Sequence, residues 1–218
     1  MGLVGSLGFL EIIYGVLFDP VKTFRRLAED PPFLLVLVIV TLVNAAGTLM
    51  SMLTVNTIAP AELGAEFDRL IAGVAPFLVL AGFFLWYAKW LGYGAVLHLV
   101  AQLLGGRNGP KATLTVYGLA GLPAVFMLPV QGFVVVAGLA ETPASAILGL
   151  IGLGVFVWSL ALLIIGLREV HQLSTGGAAI VVFAPVAAVA ALFLLLLIVL
   201  VVGFAPVVPS PSGFPLGL

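Results

Sequence analysis

The chain has 218 residues and a formal net charge of -1, with 63% hydrophobic and 8% charged residues. A soluble domain carries about 45–50% apolar and about 25% charged residues, so the charges present are too few to cover a water-facing surface and the chain must live in a membrane. The charge balance offers no basic field for nucleic acid, and the absence of cysteine excludes disulfides, thiolate metal sites and cysteine nucleophiles.

Residues 1–18 are apolar but have no basic start, carry Glu11 inside the apolar run and lack a small-residue cleavage site, so they read as part of the mature protein. Met1-Gly2 with Ser6 fits a myristoylation pattern, which a chance Gly-rich beginning explains more simply. Asp19 is placed to cap a helix that starts at Pro20, and Asp30-Pro31-Pro32 ends it. At about 100° per residue, Val21, Phe24, Leu27 and Ala28 share one arc while Lys22, Arg25, Arg26 and Glu29 share the other. The pattern predicts a short amphipathic helix in the interface. Its apolar arc would face lipid or a helix bundle, and its cations would act as topology signals or as contacts for anionic headgroups or a partner.

Beyond it the charge-free runs cover residues 31–61, 112–140, 142–167 and 170–218, and a fifth run, 70–106, is interrupted by Lys89. A bilayer core of about 30 Å needs about 20 apolar helical residues, and continuous rather than alternating apolarity argues against a β-barrel. The fold class expected is an all-α integral membrane protein: a five-helix transmembrane bundle with a short N-terminal amphipathic interfacial helix. Residues 1–30 form a cytoplasmic or interfacial segment, 31–203 the bundle (spans about 33–55, 77–104, 113–138, 144–167 and 178–202), and 204–218 a Pro-rich external tail.

Orientation follows from basic residues in the short flanks. Lys22, Arg25, Arg26, Arg107, Lys111 and Arg168 fall on one side and only Arg69 on the other, which places the N-terminus in the cytoplasm and the C-terminus outside. The six are the expected interface or lipid contacts.

Intramembrane polar residues form a second set. Lys89 lies about 22 Å from the end of its helix at 1.5 Å per residue, among Trp86, Tyr87, Trp90 and Tyr93. It reads as a snorkelling anchor near the outer face, with a substrate or ion contact as the rival. Asn44 and Gln131 are the main midplane groups, while Thr41, Thr48 and Thr115 can bond their own backbone. His98, with Gln102 one turn on, and His171 beside Glu169 lie toward the cytoplasmic ends. Two imidazoles and a carboxylate are metal-ligand types, but no HExxH-type spacing supports a site, and interhelical hydrogen bonds are the simpler account. Arg168 and Glu169 are adjacent and point different ways on a helix, so they do not form an i,i+4 pair.

Pro123 and Pro129 interrupt the third span and Pro185 the fifth, and the pairs Gly118 with Gly121, Gly149 with Gly152 and Gly154, and Gly47 with Ser51 offer small faces for close packing. Ser51 and Ser159 have no His or acidic partner at a recognisable spacing, and no nucleophile elbow, Walker loop or dinucleotide fingerprint is present. No catalytic residue, metal or cofactor is expected.

The order of several short motifs resembles a prokaryotic Yip1-domain protein. Phe18-Asp19-Pro20-Val21-Lys22-Thr23-Phe24 and Asp30-Pro31 precede the first span, Gly105-Gly106 and Lys111 the third, Tyr117 and Pro123 lie within it, and Val170-His171-Gln172-Leu173-Ser174 followed by Ala178 comes after the fourth. Gly177 departs from the pattern, where a basic residue is expected. The resemblance implies a five-helix bundle with a cytoplasmic N-terminus. Eukaryotic relatives associate with prenylated Rab-type GTPases through a long N-terminal region, and the short segment before Pro31 carries no such role over. The expected function is a non-catalytic membrane-organising or adaptor role in a prokaryotic plasma membrane, with a small transporter or channel subunit as the alternative. The expected partners are membrane lipids, a protein on the cytoplasmic side and a second copy of the chain.

The topology is directly testable in this Cys-free chain. Asn108→Cys is expected to label from the cytoplasmic side and Glu66→Cys from the exterior. Impermeant maleimide added to intact cells checks this, and labelling of Asn108→Cys with none of Glu66→Cys overturns the orientation.

Overall fold

In the computed structural model, residues 8–54, 65–139 and 141–204 are described. The myristoylation pattern and most of the Pro-rich tail lie outside these residues. Within them the chain forms helices and no strand: α1 (Phe9–Phe18), α2 (Pro20–Glu29), α3 (Phe33–Thr54), α4 (Ala65–Leu103), α5 (Pro110–Ala120), a 3-10 turn (Leu122–Phe126), α6 (Met127–Val136), α7 (Glu141–His171) and α8 (Thr175–Phe204). Five segments are long and apolar enough to cross a membrane: α3, α4, α5 through α6, α7 and α8.

Local chemistry accounts for the boundaries. Pro20 and Pro110 stand at helix starts, where a missing N–H costs nothing. Gly105 takes φ 84, and the Gly106 N–H reaches back to the Ala101 carbonyl at 2.8 Å, ending α4 in a left-handed cap. Gln172 ends α7 the same way at φ 56, with the Leu173 N–H on the Arg168 carbonyl at 3.1 Å. The Ser174 hydroxyl then accepts from the Gly177 N–H at 3.0 Å and starts α8. The third span is not one helix. Pro123 cannot donate to Leu119, and the backbone tightens into the 3-10 turn, whose Leu122 and Pro123 are buried. Pro76 and Pro185, by contrast, sit inside helices that continue through them.

The core lies at one end of the bundle, where the α4–α5 and α7–α8 connections meet the end of α2. The largest buried side chains there include Ile12, Phe24, Leu27, Val36, Ile39, Leu97, Val116, Leu119, Leu162 and Leu167, drawn from α1, α2, α3, α4, α5 and α7. Toward the opposite end side chains are less buried, although α6 still packs on α3 and α7, and α8 from Val186 to Val202 is exposed all round to whatever surrounds the bundle. The most extensive helix pair is α2 along α7, and α1 folds back on α2 to touch α5 and the 3-10 turn.

Close approach follows the glycines of this end. A Cβ on Gly166 would stand 2.5 Å from Val116 Cγ1 and 3.2 Å from the Phe24 ring, and one on Gly118 would meet Val40 at 2.8 Å. Gly15 has no room for a Cβ against Thr23, nor Gly94 against Leu114. The small faces expected at Gly47, Gly149 and Gly154 are not close contacts, since a Cβ there would meet nothing within 4 Å. In the same half only looser contacts occur, a Cβ on Gly132 meeting Met50 at 3.6 Å and one on Gly152 meeting Met127 at 3.8 Å.

Gly166→Ala is therefore expected to destabilise the bundle by about 1–3 kcal/mol through overpacking against Val116 and Phe24, with Gly154→Ala near neutral. Unfolding of both variants in the same detergent micelles checks the difference.

Candidate functional site

The polar residues converge on the packed end. The first group is ionic. Glu169 on α7 accepts from Arg25 of α2 through Nε at 3.1 Å and Nη2 at 3.0 Å on one oxygen, and from Arg168 through Nε at 2.9 Å and Nη2 at 2.6 Å on the other. Arg168 and Glu169 therefore pair as chain neighbours and not at i,i+4 spacing. Their Cα–Cβ vectors diverge, but the long arginine stem folds its fork back onto the neighbouring carboxylate, whose side chain is only 11% exposed. Arg26 pairs with Glu11 of α1 at 3.6 Å, across the α1–α2 hairpin. One carboxylate thus serves two guanidinium groups, and charge-assisted bonds hold α2 against α7.

Asn108 adds a neutral clamp. Its Nδ2 donates to the carbonyls of Ala28 at 3.1 Å and Val170 at 2.9 Å, while its own carbonyl accepts from Gln102 Nε2 at 2.9 Å. The loop after α4 is thereby tied to the end of α2 and to α7. Arg107 donates to Gln172 Oε1 at 3.0 Å and joins the two connections. Lys22 and Lys111 are exposed and form no ion pair with a described residue.

The second group is buried. Thr113 Oγ1 lies 2.8 Å from His171 Nε2 and 3.3 Å from His98 Nδ1, and the two rings are 5.9 Å apart. Thr113 and His171 are both fully buried, and His171 Nδ1 has no partner. A hydroxyl donates once, so one imidazole receives its proton and the other donates to it. An unpaired acceptor costs less than an unpaired N–H, which assigns His171 as the Nε2–H donor and His98 Nδ1 as the acceptor. Gly106 closes over the ring, and a Cβ there would lie 2.8 Å from His171 Nδ1. Glu169 is engaged elsewhere, and no group of three His, Asp or Glu side chains that could hold a metal occurs among the described residues.

The remaining intramembrane candidates do not join these groups. Asn44 Nδ2 donates to the Phe83 carbonyl at 3.2 Å, and Gln131 is half-buried on α6. Thr41 bonds its own backbone at the Leu37 carbonyl, 2.7 Å away, and accepts from the Tyr87 hydroxyl at 2.9 Å. Thr115 does not bond its own backbone; its buried hydroxyl has no partner. Lys89 is exposed on the outside of α4, whereas the aromatics around it turn inward. Trp90 is buried between Phe33 and Trp86, stacked at 5.9 and 6.1 Å, and Tyr93 donates to the Val182 carbonyl of α8 at 3.3 Å. Trp86, Trp90 and Tyr93 recur at helical spacing on the arc beside Lys89, which stands at the exposed edge of that arc. These aromatics are therefore packing residues between helices.

A family model for the Yip1 domain matches residues 14–206. The chain belongs to the Yip1 family. No curated protein and no solved structure matches it. The Yip1 match begins inside α1 and runs past α8, so the α2 helix docked on α7 is part of the Yip1 domain, and the chain is a multi-pass membrane protein.

Residues missed from the sequence were Thr113, Asn108, Gly166 and the Arg25–Glu169 pair. Only Asn108 stood in a visible signal, a Gly-rich turn between charged residues.

Thr113→Val is expected to leave two imidazoles without their shared partner, at about 1–3 kcal/mol per buried group, and Thr113→Ser to restore most of the loss. Thermal unfolding of the two variants in micelles reads the difference, and equal stability of Thr113→Val and wild type contradicts the bridge.

Proposed function

We propose that this Yip1-family protein works without catalysis as a membrane-organising or adaptor component of a prokaryotic plasma membrane. In this reading the packed end faces the cytoplasm and serves as the contact surface. The observation that carries it is the division of labour on α2. Thr23, Phe24 and Leu27 are buried in the bundle, which leaves Lys22, Arg25 and Arg26 directed outward. Arg107 and Lys111 are exposed on the adjoining loop and helix start. Most internal polar groups act as ties between helices, while Arg25 and Arg26, paired with Glu169 and Glu11, keep exposed faces beside Lys22, which forms no ion pair with a described residue. The basic flanks support a cytoplasmic position for this end.

The transporter alternative draws on the broken third span, because interrupted helices line some transport sites. Against it, the break at Leu122–Phe126 is filled by buried Leu122 and Pro123. Binding of prenylated GTPases, a property of eukaryotic relatives, is no part of the proposal.

The test uses a photo-cross-linker at Lys111 in native membranes. It is expected to capture one recurrent protein, and Lys22→Glu is expected to reduce that capture several-fold while stability stays within about 0.5 kcal/mol. Solute flux by the purified chain in sealed vesicles, with no recurrent adduct, would replace this reading by the transporter.

A further inference from the structure

Helix α1 has two unlike faces. Ile12, Gly15 and Val16 are buried against α2, α5 and the 3-10 turn. Leu10, Tyr14 and Phe18, one turn apart on the other side, are 75%, 66% and 63% exposed. Such a stripe is unfavourable in water, so its surroundings follow from its depth. The 3-10 turn that α1 touches begins twelve residues into the third span at Leu122, which is about 18 Å from Pro110 at 1.5 Å per residue. A hydrocarbon leaflet is about 15 Å deep. The outward face of the turn continues the apolar surface with Val125 and Phe126, 37% and 42% exposed. The stripe on α1 is thus continuous with the lipid-facing surface of the spans, while α2, on the other side of the hairpin, turns Lys22, Arg25 and Arg26 outward at headgroup level.

We infer that α1 is embedded among the acyl chains of the leaflet at the packed end, and that this leaflet holds the α1–α2 hairpin in addition to the five spans. No described residue adds a further helix at the opposite end, where α6 packs on α3 and α7 and α8 beyond Val186 is exposed. Two ten-residue helices, each about 15 Å long and 10 Å across, displace about 300 Å² when they lie in one leaflet. A bilayer relieves such an imbalance by bending with the fuller leaflet outward, which is the basis of curvature dependence in interfacial helices. The protein therefore prefers membranes that are convex on the packed side, and crowding of copies promotes that shape. The lipid it selects is a curved surface rather than a single headgroup, with anionic headgroups favoured beneath the α2 cations. This inference deepens the membrane-organising reading, and because its test uses lipid alone, failure to find a cytoplasmic protein partner leaves it untouched.

The full chain carrying Gly109→Cys is reconstituted into small sonicated and large extruded vesicles of phosphatidylcholine and phosphatidylglycerol, and impermeant maleimide counts molecules with the packed end outward. The outward fraction is expected to rise as vesicle size falls, and to lose that dependence in Leu10→Asn, Tyr14→Gln, Phe18→Asn. An outward fraction independent of size overturns the curvature preference. A nitroxide on Tyr14→Cys provides a reading that does not depend on the triple variant folding. Collision with oxygen above collision with a water-soluble nickel chelate supports burial in the leaflet, and the reverse order overturns it.

Discussion

The arrangement rests on a missing side chain. Gly166 leaves a notch on α7 into which the Phe24 ring and Val116 pack, and nothing larger than hydrogen fits there. Helices in a bilayer gain little from hiding apolar surface from one another, because lipid tails are as apolar as leucine, so close backbone approach and hydrogen bonding must hold them together. The notch supplies the first. Once Phe24 is seated, Arg25 falls beside Glu169 and the Ala28 carbonyl falls beside Asn108, so the second follows from the first.

Several polar groups at this end then act as ties. Glu169, whose own side chain is only 11% exposed, is neutralised by guanidinium groups from two helices. Thr113 spends one hydroxyl on two imidazoles, joining the ends of α4, α5 and α7. Toward the opposite end Asn44 on Phe83 and Tyr87 on Thr41 tie α3 to α4. Packing among the described residues is looser there, and open glycines such as Gly149 and Gly154 lie along α7.

Much of this architecture is visible before any coordinates. Charge-free runs long enough for a bilayer mark the five spans, because the hydrocarbon admits few charges. The two-faced pattern of α2 is equally plain, since Phe24 and Leu27 recur at helical period among cations. The pairings are another matter. Arg25 and Glu169 are 144 residues apart, and nothing local in either segment points to the other. Adjacency alone does not show that Arg168 and Glu169 pair, because backbone vectors do not limit where a long side chain can return. Small residues are legible as a type but not as contacts: Gly47 and Gly166 look alike in a sequence, and only the depth at which their helices cross separates them. The break at Pro123 is anticipated by proline chemistry, whereas the unbroken passage of α8 through Pro185 depends on how the rest of the span continues. The aromatics near Lys89 suggest a membrane belt by type, yet Trp86, Trp90 and Tyr93 turn into the bundle.

The seating of α2 on α7 is the claim from which the rest follows, and Phe24 reports on it most directly. A diazirine analogue of phenylalanine placed at position 24, irradiated in native membranes and mapped by peptide mass, distinguishes bundle from bilayer. The account predicts adducts within the chain, in the peptides that contain Gly166 or Val116. Adducts to phospholipid, with none on α5 or α7, would show that α2 lies free on the membrane surface and would contradict it.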